Sequence, residues 1–299
     1  MRGKTKKDKL VPYLFIAPFL ISFLLFFIVP SVYSFYLSFT KYPGYGEAKW
    51  IGISNYKNIL TYGRFHSALG RTFFYWLVKF IPVTVISFLM AYCLRTKVML
   101  GNSSSKVIKP ILFLPQVCAT TACALVFMII FATQTGVVNQ MFGMDVAWIE
   151  NAATSKWVVL LLLIWRGAGW FMVVYLSGMT AISQDVIEAS KIDGANGFAS
   201  MRLVILPLMK QTFKFAFIMD AISSLRMYTE AAVLTARDAG SVAREVAEGV
   251  INLLMFNLNS GNFGMACAYG WIIFVIIFIV SLFILGAFQE KKEGGGKNG

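Results

Sequence analysis

The chain has 299 residues, 58% of them hydrophobic and only 14% charged, which is more apolar surface than a water-soluble domain hides. That balance excludes a soluble globular protein and makes the chain an integral membrane protein. The formal net charge of +13 does not point to nucleic acid, because Lys and Arg fall mainly in short segments between apolar runs, the pattern of membrane topology.

Four cysteines, Cys93, Cys118, Cys123 and Cys267, lie in or beside apolar stretches with no CxxC spacing and read as buried thiols. With a single histidine, His66, in a polar connector, no metal site is expected. No G-x-x-x-x-G-K-[ST] phosphate loop occurs, so no cofactor is expected on this chain, and any ATP used must be hydrolysed by another subunit.

In chain order, residues 1–10 form a basic tail holding Arg2, Lys4, Lys6, Lys7 and Lys9, expected in the cytoplasm. The apolar run that follows, to Leu37, is too long for a secretory signal and reads as a retained first span. Pro30 is expected to kink it or end its regular part. Ser38 to Arg71 is a polar, aromatic-rich outer connector. Thr72 to Leu94 is the second span, whose Lys79 is expected to snorkel to the outer surface. After a basic loop with Arg95, Lys97, Lys106 and Lys109, Ile111 to Phe131 is the third span, carrying Pro115, Gln116 and a Thr120-Thr121 pair. Trp148 and Trp157 flank an outer connector and suit the headgroup region, rings buried and N–H groups wet.

Trp157 to Met179 is the fourth span. The polar stretch after it reads as helix, turn, helix: Ser183 caps the first helix, Gly194 ends it at positive φ, and Asn196 caps the second. The fifth span runs from Leu203 to about Leu225. An outer connector to Met265 contains a helical pattern from Ala243 to Phe256, suited to the membrane surface. Ala266 to Ala287 is the sixth span, and 289–299 is a Gly-rich tail expected to be flexible and cytoplasmic. Segments assigned inside carry sixteen Lys and Arg against eight in the outer connectors, which puts both termini and the stretch 183–207 in the cytoplasm.

Within that stretch, Glu188, Ala189, Asp193, Gly194, Ala195, Val204, Leu206 and Pro207 resemble the EAA signature of ABC importer permeases, including the thirteen-residue step from Gly194 to Pro207. Ser190 stands where Ala is usual. Two further segments resemble the sugar-importer branch: Gly52-Ile53-Ser54-Asn55-Tyr56 with Phe65, Ala68-Leu69 and Thr72, where Arg71 replaces an Asn, and Gly136-Val137-Val138-Asn139. Tyr228 to Gly240 aligns with a family segment but carries Asp238-Ala239-Gly240 in place of its tight-turn residues.

The resemblance covers about Tyr13 to Phe288. It implies an all-α, six-helix permease fold of the type I ABC importers over 11–288, in a bacterial cytoplasmic membrane. In that family the signature segment is a coupling helix docked in an ATPase cleft, so Glu188, Ala189, Ser190, Asp193, Gly194, Ala195 and Pro207 are the implied coupling residues. The implied partners are a second permease, two ATPase subunits that use ATP and Mg, an extracellular solute-binding protein, and a sugar or oligosaccharide substrate. Maltose-type permeases contact sugar from the spans flanking this segment, which carries over to Gly167 and Trp170 on the fourth span and Asp220, Ser224 and Met227 on the fifth. Arg166 joins them as an ionisable group in a span; it either pairs with Asp220 or lines the pathway.

A related permease for glycerol phosphate or another polar solute is the alternative cargo reading. An ion-driven secondary transporter predicts internal repeats and carboxylates deep in broken helices, and only Asp220 falls within a span. A membrane enzyme is disfavoured because no His, Cys or carboxylate constellation has reactive spacing.

Overall fold

The computed structural model describes residues 6–96, 104–235, 245 and 247–288, with side chains from 13 to 96, 107 to 235, 245 and 247 to 288. The expected terminal tail 289–299, most of the loop after the second span, and Asp238-Ala239-Gly240 lie outside these residues. The described chain is almost entirely helical and divides into two compact units. One is built from Met1–Phe65 with Leu253–Ile273, and the other from His66–Asn252 with Phe274–Gly299.

In the first unit, α1 (Lys6–Phe23) continues through a π-helical turn, Leu24–Ile28, into α2 (Val29–Ser38). Pro30 explains the turn: it has no N–H and its ring displaces the carbonyl four residues back, so the preceding turn widens. Val29 N–H accordingly bonds Leu24 O, five residues away. Two short strands, β1 (Thr40–Lys41) and β2 (Lys49–Trp50), pair antiparallel and lead to α3 (Ser54–Thr61). Asn55 Nδ2 donates to Ser38 O and Thr40 O, both at 2.9 Å, while Tyr56 and Ser38 share a 2.6 Å hydroxyl contact. The Asn-Tyr pair singled out in the sequence is thus the clamp that fixes how the chain leaves α2. The unit also holds parts of α14 (Val250–Asn259) and α15 (Phe263–Ala287), whose Trp271 packs edge-on to Phe35 and donates to Ser34 Oγ at 3.3 Å.

The second unit is organised on α4 (Gly63–Thr96) and α8 (Ala152–Thr180), both long and apolar enough to cross a bilayer. α8 feeds two apolar clusters, one with Leu162 among Tyr75, Phe127 and Leu234, the other with Met172 among Val83, Phe88 and Tyr175. Ser87 Oγ on α4 donates to Ala168 O on α8 at 2.9 Å. Thr72 Oγ1 accepts from Val250 N–H at 3.0 Å, and Arg71, standing where the family pattern has Asn, donates from Nε to Glu248 O at 2.8 Å.

The predicted third span is not straight. It is α5 (Ser104–Val117) and α6 (Thr120–Ile130), bent by 93° at Cys118-Ala119, three residues after Pro115. The Thr120-Thr121 pair opens α6 with no side-chain hydrogen bond among the described residues. In the following loop, which includes α7 (Val137–Phe142), buried Asn139 donates to Thr133 O and Val146 O and accepts from Trp148 Nε1 at 2.7 Å. Trp148 therefore satisfies its N–H inside the protein, not in headgroup water as the sequence suggested.

The predicted fifth span is also segmented. α9 (Gln184–Ile192) and α10 (Gly197–Ser200) are followed by a second π turn, Met201–Ile205, then α11 (Leu206–Leu208) and the 16-residue α12 (Lys210–Leu225). Here again the π turn ends two residues before a proline, Pro207, and Leu206 N–H bonds Met201 O. α13 (Thr229–Leu234) follows. Four helices meet the length and hydropathy of a span among the described residues, five if the bent α5–α6 pair counts as one. Of the helix expected over Ala243–Phe256, the first residues lie partly outside the described ones, and α14 covers the rest; its Val250, Asn252 and Leu253 are buried in protein.

Candidate functional site

Two features of the second unit bring predicted residues together. The first is a cavity of about 490 Å³ among α4, α5, α8, α12 and α13. Its wall carries Lys79, Gln116, Arg166, Gly167, Trp170, Met219, Arg226, Met227 and Glu230. Of the residues that the resemblance assigned to a pathway, Gly167, Trp170 and Met227 line this cavity along with Arg166. Trp170 lines the cavity and lies stacked on Phe113 with ring centroids 6.1 Å apart, so one face of the indole is supported.

The charges in and behind this wall are paired differently from the sequence expectation. Arg166 does not meet Asp220. Its Nη1 lies 3.0 Å from Glu230 Oε1 on α13, and its Nε donates to Pro115 O at 3.4 Å. The Pro115 carbonyl is available because the helix breaks just beyond it, and Cys123 Sγ approaches the same oxygen at 3.7 Å. Asp220 pairs instead with Lys79, Nζ to Oδ1 at 2.8 Å, with both side chains about 95% buried. Lys79 therefore does not snorkel: an ammonium this deep needs a counter-charge, and Asp220 supplies it from across the helix pair. Asp220 stands behind Lys79 and does not line the cavity. Ser224 is likewise withdrawn, buried with its Oγ donating to Asp220 O at 2.7 Å, while Ser223 reaches the cavity.

Sequence reasoning missed Glu230 altogether, since it falls past the predicted end of a span. The signal for it was Arg166 itself, a guanidinium in an apolar run that requires an acceptor.

The second feature is the bent helical pair. Gly194 takes φ 86°, with Gly194 N–H bonded to Lys191 O and Ala195 N–H to Ser190 O, both at 3.0 Å. These two bonds close α9 as a Schellman cap. Asn196 Oδ1 accepts from Ala199 N–H at 2.8 Å and caps α10 as expected. Ser183 occupies the cap position of α9 but makes no side-chain cap bond. Glu188, Ala189, Asp193 and Gly194 are exposed, as is Pro207 beyond the π turn, and Ala195 is half-buried. Ser190 faces inward, contrary to its expected place on the docking face: its hydroxyl bonds Ile187 O at 2.7 Å and Ser200 Oγ at 2.9 Å, locking α9 to α10. Tyr92 Oη donates to Gly197 O at 3.0 Å and ties the pair to α4. Ile192 and Phe198, 87% and 66% exposed, leave an apolar tip around the bend.

Residues 72–293 match the family described as binding-protein-dependent transport system inner membrane component. The arabinooligosaccharides transport system permease protein AraP of Bacillus subtilis (strain 168) is 30% identical over 295 residues, covering 96% of this chain and 91% of the relative. The probable ABC transporter permease protein YesP of the same organism is 28% identical over 305 residues, covering 96% and 95%. Among solved structures, a bacterial alginate ABC transporter in complex with alginate pentasaccharide-bound periplasmic protein contains a chain that superposes with a TM-score of 0.82 at 20% identity, covering 97% of this chain and 98% of that one. The chain belongs to the family of binding-protein-dependent transport system inner membrane components and is a permease subunit of such an importer.

Proposed function

We propose that this permease carries a sugar or oligosaccharide across a bacterial cytoplasmic membrane, with the cavity around Arg166 and Trp170 as its share of the pathway. The observation that carries the reading is the continuity of α8. One helix bears Arg166, Gly167 and Trp170 on the cavity wall and ends at Thr180, four residues before the exposed bent pair begins. From Trp170 to that end is roughly 15 Å of helix, stiff enough to pass a displacement from one feature to the other. Relatives named for arabinooligosaccharides and for starch degradation products support a carbohydrate cargo. A Trp beside Ser and Gln donors suits a pyranose, whose C–H face is apolar and whose hydroxyls are not.

In this reading the chain crosses the membrane six times with both termini inside, α5–α6 forming one bent span and the α10–α12 segment another. A second permease closes the far wall of the cavity, and an extracellular binding protein delivers the solute. Two ATPase subunits receive the bent pairs in their clefts and use ATP and Mg, while this chain binds no cofactor. Glu188, held by Gln184 Nε2 at 3.1 Å, anchors the segment to a basic group on the ATPase, with Ala189, Asp193, Ala195 and the Gly194 bend forming the contact. Pro207 and the π turn before it connect the pair to α12.

Reconstitution of the complete transporter in proteoliposomes tests this. Gly194→Val places a β-branched side chain at φ 86°, a strain of about 1–2 kcal/mol, in open space where nothing lies within 4 Å of the added Cβ. Insertion and ATPase activity are expected to persist while sugar taken up per ATP falls, and Glu188→Lys is expected to do the same. Undiminished uptake in either variant, or uptake driven by an ion gradient without the ATPases, refutes the assignment.

A further inference from the structure

The geometry points to a cargo that carries one negative charge: we propose that the cavity takes a saccharide bearing a carboxylate, held by Arg226. The inference rests on the cavity being the sugar pathway and adds the chemical class of the sugar. Among the described residues, three cationic side chains reach the wall, Lys79, Arg166 and Arg226, and one carboxylate does, Glu230. Lys79 is matched by Asp220 behind it and Arg166 by Glu230 beside it. Arg226 is different. It caps the C-terminus of α12, is exposed, lines the cavity, and has no ion pair or side-chain hydrogen bond among the described residues.

A guanidinium at the end of a span is costly unless it faces water, a partner or an anion, and this one faces the cavity. A pathway for neutral sugars needs hydroxyl donors and acceptors, which Gln116 and Ser223 supply, and has no use for a net positive wall. On this wall, among the described residues, the uncompensated charge is single, which matches a uronate carboxylate, and the planar guanidinium can hold both carboxylate oxygens at once. A phosphate ester, carrying nearly two charges at neutral pH, is left half-matched. Trp170 and Met219 on the same wall supply the apolar surface for the ring that bears the carboxylate.

The experiment measures ATP-driven uptake by the complete transporter, with its binding protein, of a radiolabelled aldobiouronate (one glucuronate linked to one xylose, a single carboxylate), glucose 1-phosphate and maltose. The aldobiouronate is expected to enter. Arg226→Gln is expected to lower its uptake about tenfold, the effect of losing the charge-assisted contact, while Arg226→Lys, which keeps the charge but not the two-pronged grip, is expected to fall between the two. Entry of maltose alone overturns the inference and leaves the sugar importer standing. Entry of glucose 1-phosphate without the aldobiouronate overturns the carboxylate assignment, as does equal aldobiouronate uptake by wild type and Arg226→Gln. Uptake of none of the three overturns both the charged-sugar inference and the sugar reading beneath it.

Discussion

Lys79 and Asp220 show how a polar residue inside a span is held. Neither has water to solvate it, so the 2.8 Å contact between them serves as mutual solvation, and Asp220 Oδ2 has no hydrogen-bond partner among the described residues. Removing one charge is therefore worse than removing both. Asp220→Leu is expected to cost about 3–5 kcal/mol by leaving the ammonium alone, and Lys79→Met with Asp220→Leu to recover most of that loss. Thermal melting of the purified transporter in detergent measures both. A single variant as stable as the double would show that the charges do not depend on each other. The sequence made these residues conspicuous, because charge in an apolar run always demands an explanation. It did not reveal the pairing, since which of Lys79 or Arg166 meets Asp220 depends on the rotation of α4, α8 and α12 about their axes. The bent pair was more legible, because Gly194 and Asn196 act within a few residues of themselves and caps are local chemistry.

At the scale of elements, helix breaks depart most from a hydropathy reading. Hydropathy sees Ile111 to Phe131 as one run, yet the chain turns by 93° inside it. Pro115 was visible, but a proline alone leaves open whether the helix kinks, widens or stops, and this chain shows different outcomes. Pro30 follows a π turn within a continuing helix, Pro207 follows one and is itself followed by an interruption at Met209, and Pro115 precedes a 93° break. What distinguishes the break is how its freed carbonyl is satisfied, here by Arg166 and Cys123 from outside the local turn. Close approach also fixes α5 on α8. A Cβ added at Gly169 would collide with the backbone carbonyl of Leu112. Gly169→Val is expected to destabilise the protein by about 1–3 kcal/mol, since backbone cannot rotate away as a side chain does. Detergent melting curves check this, and an unchanged midpoint would mean that α5 and α8 separate without cost.

For the molecule as a whole, the distribution of charge carries information that the helix list does not. Among the described residues the four long apolar helices and the bent α5–α6 segment would account for five crossings, and with an odd number the two termini would lie on opposite sides. The Lys and Arg bias instead predicts both ends, and the α9–α10 segment with them, on one side. The balance is restored if the segment through Pro207 and α12 crosses as well. It is too short and too charged to be recognised alone, but Lys210 and Lys214 fall near its inner end, where they can snorkel, and Asp220 is neutralised by Lys79. Two exposed positions separate the alternatives. In a chain whose native cysteines are replaced by serine or alanine, Tyr45→Cys and Ile192→Cys put thiols at sites 79% and 87% exposed. A membrane-impermeant maleimide added to intact spheroplasts is expected to label the Tyr45→Cys chain, and to reach Ile192→Cys only after the membrane is opened. Labelling of Ile192→Cys from outside would place the bent pair beyond reach of any cytoplasmic ATPase, and coupling through Glu188 and Gly194 would then be impossible.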